Sequence, residues 1–147
     1  MDTRNKVIEV LGEPMGKQRP RASFIAGHAT IYTPKKTQSY EGRFASAYGD
    51  KYGDYITTAP LKVTIEAVFA INKGDYKKDG NPTKKGTEKL QGIIACTKRP
   101  DCDNIAKAVL DGLNGVAFVD DSQVVELIVR KRYATQPRVI CELEELP

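Results

Sequence analysis

Residues 98–123 read Lys-Arg-Pro-Asp-Cys-Asp-Asn-Ile-Ala-Lys-Ala-Val-Leu-Asp-Gly-Leu-Asn-Gly-Val-Ala-Phe-Val-Asp-Asp-Ser-Gln, which sets five acids and one inner lysine around a single short helix. Pro100 disfavours helical geometry at Arg99, and Asp103 or Asn104 suits an N-cap, so the pattern predicts a helix that begins at Ile105. Ile105, Ala108, Val109, Gly112 and Leu113 form one apolar stripe and leave Lys107 and Asp111 on the other side. Asn114 and Gly115 supply the stop. Asp103 and Lys107 are four apart and share a face. In an extended approach to the helix Asp101 and Asp103 share a side, while Cys102 is expected to face the core. Two carboxylates then flank one point at a helix N-terminus, which favours negative charge. Residues 116–119 deliver Asp120 and Asp121 to the start of the next strand, and only one of that pair can face the Asp101 side.

The run Pro100-Asp101-x-Asp103-Asn104-x-x-Lys107-x-x-x-Asp111-x-Leu113, followed by Val119-Asp120-Asp121-x-Gln123-Val124, resembles the RusA family of Holliday-junction resolvases, many of them phage-encoded. The resemblance implies a magnesium-dependent nuclease site made of Asp101, Asp103, Asp121 and Lys107, with the metal on the three aspartates. It also implies hydrolysis that leaves a 5′ phosphate. Mg²⁺ is the expected cofactor, with Mn²⁺ able to substitute, and branched DNA the expected substrate. Paired incision of a four-way junction calls for two symmetric sites, hence a homodimer.

Were three such acids gathered to about 5 Å, each pair would repel by roughly 3 kcal/mol at an effective dielectric near 20. Three pairs together rival the ~5–15 kcal/mol stability of a whole domain, so the cluster needs a proton, a nearby cation or a bound metal. Lys107 offsets part of the repulsion, and Mg²⁺ prefers oxygen ligands of this kind. Lys107 is assigned either to charge stabilisation in the transition state or to restraint of Asp103.

The net charge of +4 conceals an asymmetry. Residues 1–100 hold eighteen Lys and Arg against ten acids, while residues 101–147 hold five against nine. A basic surface for phosphates beside an acidic centre for cations is what a metal-dependent nuclease requires. Lys17, Arg19 and Arg21 alternate in the proline- and glycine-rich stretch 12–21, where an extended chain presents all three to a phosphate backbone. Lys98 and Arg99, directly before the acids, are further expected DNA contacts. Cys96, Cys102 and Cys141 are too few and too irregular for a disulfide framework, and His28 alone cannot build a zinc site. No apolar run approaches the ~18 residues that cross a bilayer, and there is no apolar signal core. A soluble cytoplasmic protein is expected, compatible with a phage or prophage gene.

One domain over residues 1–147 suits this length. A first strand is expected at 6–11, a hairpin over 22–32 turning near Gly27-His28, and a helix starting at Thr33-Pro34 that carries Tyr40, Phe44, Ala47 and Tyr48 until Gly49 and Gly53 end it. Residues 61–71 alternate as the clearest strand. Residues 72–92, with six lysines and four glycines, are expected to be a basic flexible loop. Strands at 124–132 and 139–143 are expected to close the chain as a hairpin. The fold class is therefore α+β, a small mixed sheet of about four or five strands with two main helices.

Competing readings are weaker. A non-catalytic branched-DNA-binding protein leaves the acids unexplained. A sugar-nucleotide transferase lacks a glycine-rich nucleotide turn. A nuclease of the Pro-Asp and Glu-x-Lys type would need a lysine at position 128, where Ile128 stands.

Overall fold

The computed structural model describes residues 4–17, 21–25, 27–32 and 35–147, the side chains of residues 21–25, Thr30, Tyr32 and Lys36 excepted. Six strands and three helices follow in the order β1 (Asn5–Leu11), β2 (Arg21–Ile25), β3 (His28–Tyr32), α1 (Lys35–Tyr52), β4 (Leu61–Ala70), α2 (Lys84–Leu90), α3 (Cys102–Leu113), β5 (Val124–Ala134) and β6 (Arg138–Glu145). Strands β2 and β3 form the expected hairpin, Ile25 opposite His28. The cap signal at Thr33-Pro34 lies outside the described residues. Helix α1 runs through Gly49 and stops before Gly53, whose φ of 65° suits glycine.

The main sheet is four strands in the order β1-β6-β4-β5. Strand β4 is central because it alternates over its first half and is buried on both faces at Ala67, Val68 and Phe69. It pairs antiparallel with β6, Ile65 opposite Cys141, and parallel with β5, Ile65 opposite Val129. The closing hairpin expected for the last two strands does not form. The chain leaves β5, crosses the end of β4 and returns on its other side. That crossing spans two strand spacings, roughly 10 Å, within reach of the three residues between Ala134 and Arg138.

One face of the sheet carries Ile8, Val10, Val63, Ile65, Ala67, Phe69, Val139, Cys141 and Leu143, all buried. Against it pack Tyr40, Phe44 and Tyr48 of α1 and Ile105, Ala108, Val109 and Leu113 of α3. The helices cross closely at Gly112, where an added Cβ would stand 2.7 Å from the Glu41 carbonyl oxygen. The opposite face is half-buried and charged, with Glu66 paired to Arg132.

Residues 72–92 are more ordered than the flexible loop their composition suggests. Thr83 caps α2 by accepting the Gly86 N–H at 3.0 Å. The Lys89 ammonium meets the Asp75 carboxylate at 2.8 Å, both side chains buried, and lies 5.1 Å from the centre of the Tyr133 ring. The Lys89 hydrogen bond, joined by the Asn72 N–H, holds the Asp75 carboxyl below the usual range despite desolvation. Six lysines read as a solvated loop because composition does not show that one of them is neutralised inside. Among the described residues no helix is long and apolar enough to cross a membrane.

The helix crossing yields a direct test. Gly112→Ala is expected to lower the unfolding free energy by about 1–3 kcal/mol, the scale of overpacking a tight contact, measured by urea denaturation.

Candidate active site

Asp101 is the N-cap of α3, extended at φ −78° and ψ 168°, and its carboxylate accepts the Asn104 N–H at 3.3 Å. The helix thus begins at Cys102, three residues earlier than the apolar stripe predicts. The stripe marks where burial starts, whereas the cap marks where hydrogen bonding starts, and the first turn here is exposed. Two consequences follow. Cys102 lies on the exposed first turn and does not face the core. Asp103 is a first-turn residue, at the positive end of the helix dipole.

The two acids adjoin. The Asn104 N–H, and next the Asp103 side chain within hydrogen-bonding reach, hold the Asp101 carboxyl below the usual carboxylate range, against a smaller desolvation effect. Two carboxyls can approach this closely only with a proton or a cation between them. Both are exposed. Paired, solvent-open carboxylate oxygens at a helix N-terminus suit a hard divalent cation that keeps several waters. Lys107 is exposed one turn further along, and among the described residues no ion pair ties it to either acid.

The surrounding loops are packed onto this end of α3. Gly16 touches it so closely that an added Cβ would stand 2.8 Å from the Pro100 Cβ. The Lys17 N–H donates to the Asn104 carbonyl at 3.1 Å. The Lys17 side chain, expected to contact DNA, instead reaches Glu41 and, at 3.1 Å, Asp111. Burial alone would lower its pKa, but those two carboxylates more than offset this and raise it. Its charge is spent within the fold, clamping the loop to α1 and α3. Arg19 and the Arg21 side chain lie outside the described residues. Lys98 is half-buried, its ammonium 3.2 Å from the Asn72 Oδ1, and Arg99 is exposed. The Lys131 ammonium holds the Lys98 carbonyl, which fixes this segment to the far end of β5.

Asp121 stands at the other end of α3. Asn114 caps the helix and bridges to Phe118, and the chain enters β5 at Val124, beside Leu61 at the start of β4. Twelve helical residues at 1.5 Å each separate the two ends by roughly 18 Å. A single subunit therefore brings together two of the three acids. Among the described residues no group of three His, Cys, Asp or Glu side chains is arranged to hold a metal ion. Of the neighbouring pair, Asp120 is engaged: its carboxylate accepts from Ser122, whose hydroxyl and N–H hold its pKa down. Asp121 is exposed and makes no side-chain hydrogen bond among the described residues.

Two positioning residues escaped the sequence reading. Glu41 is the counter-charge of Lys17 from a helix 70 residues away from α3's acidic Asp111 partner. Gln123 accepts the Val119 and Asp120 N–H groups at 2.8 and 2.9 Å and donates to the Thr57 and Ala59 carbonyls at 3.0 Å. The Asp-x-x-Gln spacing was a signal for the latter, since it is a capping-box pattern. Nothing local signals the former.

The sequence profile described as Endodeoxyribonuclease RusA matches residues 12–144. The chain is also 32% identical over 137 residues to the Bacillus subtilis (strain 168) "Uncharacterized protein YqaN", covering 93% of this chain and 94% of that one.

The cysteines report on the start of α3. Cys141 is fully buried, and burial pushes its thiol up to about 12. Cys102 is expected to react first with a disulfide reagent in the native state, Cys96 more slowly and Cys141 only on unfolding. Loss of the fast phase in Cys102→Ser checks this; a fast phase that survives would return Cys102 to the core.

Proposed function

Because the chain belongs to the RusA family of Holliday-junction resolvase-type endonucleases, we propose that it cuts four-way DNA by metal-dependent phosphodiester hydrolysis, as a homodimer whose two sites are each shared between subunits. The observation that carries this reading is the adjoining Asp101–Asp103 pair at one end of α3 with an uncommitted Asp121 at the other. Asp101 and Asp103 of one subunit and the partner subunit's Asp121 would hold Mg²⁺, or Mn²⁺ in its place. A cation held there supplies a water acidic enough to act as nucleophile and positive charge beside the scissile phosphate.

The chain's own residues do the rest. The Asn104 N–H fixes the Asp101 oxygen toward the helix axis and leaves the other oxygen free. The N–H groups of the first turn of α3 favour a phosphate oxygen at the same end. Lys107, one turn along and without a carboxylate partner, is placed to meet the charge that develops on the phosphoryl oxygens. Arg99 and Lys98 contact the flanking phosphates, and Arg19 and Arg21 extend that track. Lys17 holds the loop that bears them. A two-fold dimer presents two such sites to the two symmetric strands of a junction. A non-catalytic binding role gives no reason for two carboxyls to be held in contact.

The test is nicking of a synthetic four-way junction in Mg²⁺. Asp103→Asn and Asp121→Asn are each expected to lower cutting by about 10²–10³-fold, the scale of losing one group that stabilises transition-state charge. Mixing the two inactive variants is expected to restore nicking, because one of the two shared sites in each heterodimer is then intact. A fully active Asp103→Asn protein would overturn the nuclease reading. A mixture that stays inactive while heterodimers form would return all three acids to one chain.

A further inference from the structure

The sheet ends in two outer strands, and the fold treats them differently. The outward backbone groups of β1 are covered from α1. The Val7 N–H donates to the Tyr52 hydroxyl at 2.8 Å, the Val7 carbonyl accepts from Lys51 at 2.8 Å and from Tyr52 at 3.2 Å, and Arg43 donates to the Leu11 carbonyl. Strand β5 has β4 as its sole neighbour, and among the described residues no hydrogen bond reaches its outer edge. Eleven residues of unpaired edge are a template for another strand.

The side chains on that edge say which strand. Val125 and Leu127 are 64% and 43% exposed, although Leu127 is in register with the fully buried Val63 of β4. Charge divides along the strand: Glu126 stands near its start, and Arg130, Lys131 and Arg132 near its end. Such a strand complements a second copy of itself only when the two run antiparallel.

We propose that β5 pairs antiparallel with its copy in a second subunit, centred on Ile128, so that two four-stranded sheets join into one. In this register Leu127 lies opposite Val129 of the partner subunit, and Glu126 opposite the partner's Arg130. An apolar centre is then flanked by two equivalent ion pairs on the half-exposed face. The proposal deepens the shared-site reading and rests on it for one argument. Antiparallel pairing sets the Asp121 end of one β5 beside the far end of the other, and that far end is where Lys131 holds the Lys98 segment and, through it, Asp101. The same pairing therefore closes both sites.

Charge exchange tests this. Glu126→Lys and Arg130→Glu are made separately, and mass is followed by light scattering against the 16.2 kDa of one chain. Each variant alone places like charges opposite each other and is expected to weaken the dimer on the order of tenfold or more. An equimolar mixture is expected to recover wild-type dimerisation, which also shows that both variants are folded. Recovered mass without recovered junction cutting keeps this interface and removes only the shared-site reading. Variants that dimerise like wild type, a mixture that stays monomeric, or a wild-type protein that remains 16.2 kDa with junction DNA present would each overturn the proposal.

Discussion

The parallel pairing of β4 with β5 is the constraint from which the rest of the architecture follows. Two parallel neighbours cannot be joined by a tight turn, so the chain must cross back over the sheet between them. Helix α3 makes that return, and its direction is therefore opposite to both strands. Whatever precedes α3 lies at the finishing end of β4, and whatever follows it lies at the starting end. The acids at 101 and 103 and the acid at 121 fall on the two sides of that division. Their separation is a property of the topology and not of any loop's conformation.

Within this frame the N-terminus of α3 concentrates negative charge without destabilising the fold. Asp101 discharges a structural duty, capping the Asn104 N–H, while staying exposed and close to Asp103. Capping and the helix dipole favour both carboxylates, and solvent screens their repulsion. The loops that reach this end are tied down by charges spent inside the fold: Lys17 on Glu41 and Asp111, and Lys89 on Asp75. Part of the basic excess seen in composition is thus structural. The cations left for a phosphate backbone are those flanking the acids.

The treatment of the two outer strands belongs to the same design. Side chains of α1 cover the outer groups of β1, which makes that edge unavailable for pairing. The edge of β5 is left open next to the acid that a single subunit cannot bring to its site. An edge strand left uncovered is ordinarily a hazard, and leaving it so is consistent with an edge that is covered by a second copy.

The sequence by itself determined the elements that depend on local chemistry. Alternation in residues 61–71 specified β4, helical spacing of Tyr40, Phe44 and Tyr48 specified α1, and the stripe from Ile105 to Leu113 specified the buried face of α3, because side-chain period is set by backbone geometry alone. The acidic motif and its family were legible for the same reason, as fixed spacings along one stretch. Only the tertiary structure decided which strands meet, since β5 and β6 are neighbours in sequence and are separated in space by β4. It also decided that Lys17 and Lys89 are neutralised by carboxylates distant in sequence, and that α3 holds Asp121 apart from Asp101. Those outcomes turn on which surfaces bury one another across the whole chain, a comparison that no local window contains.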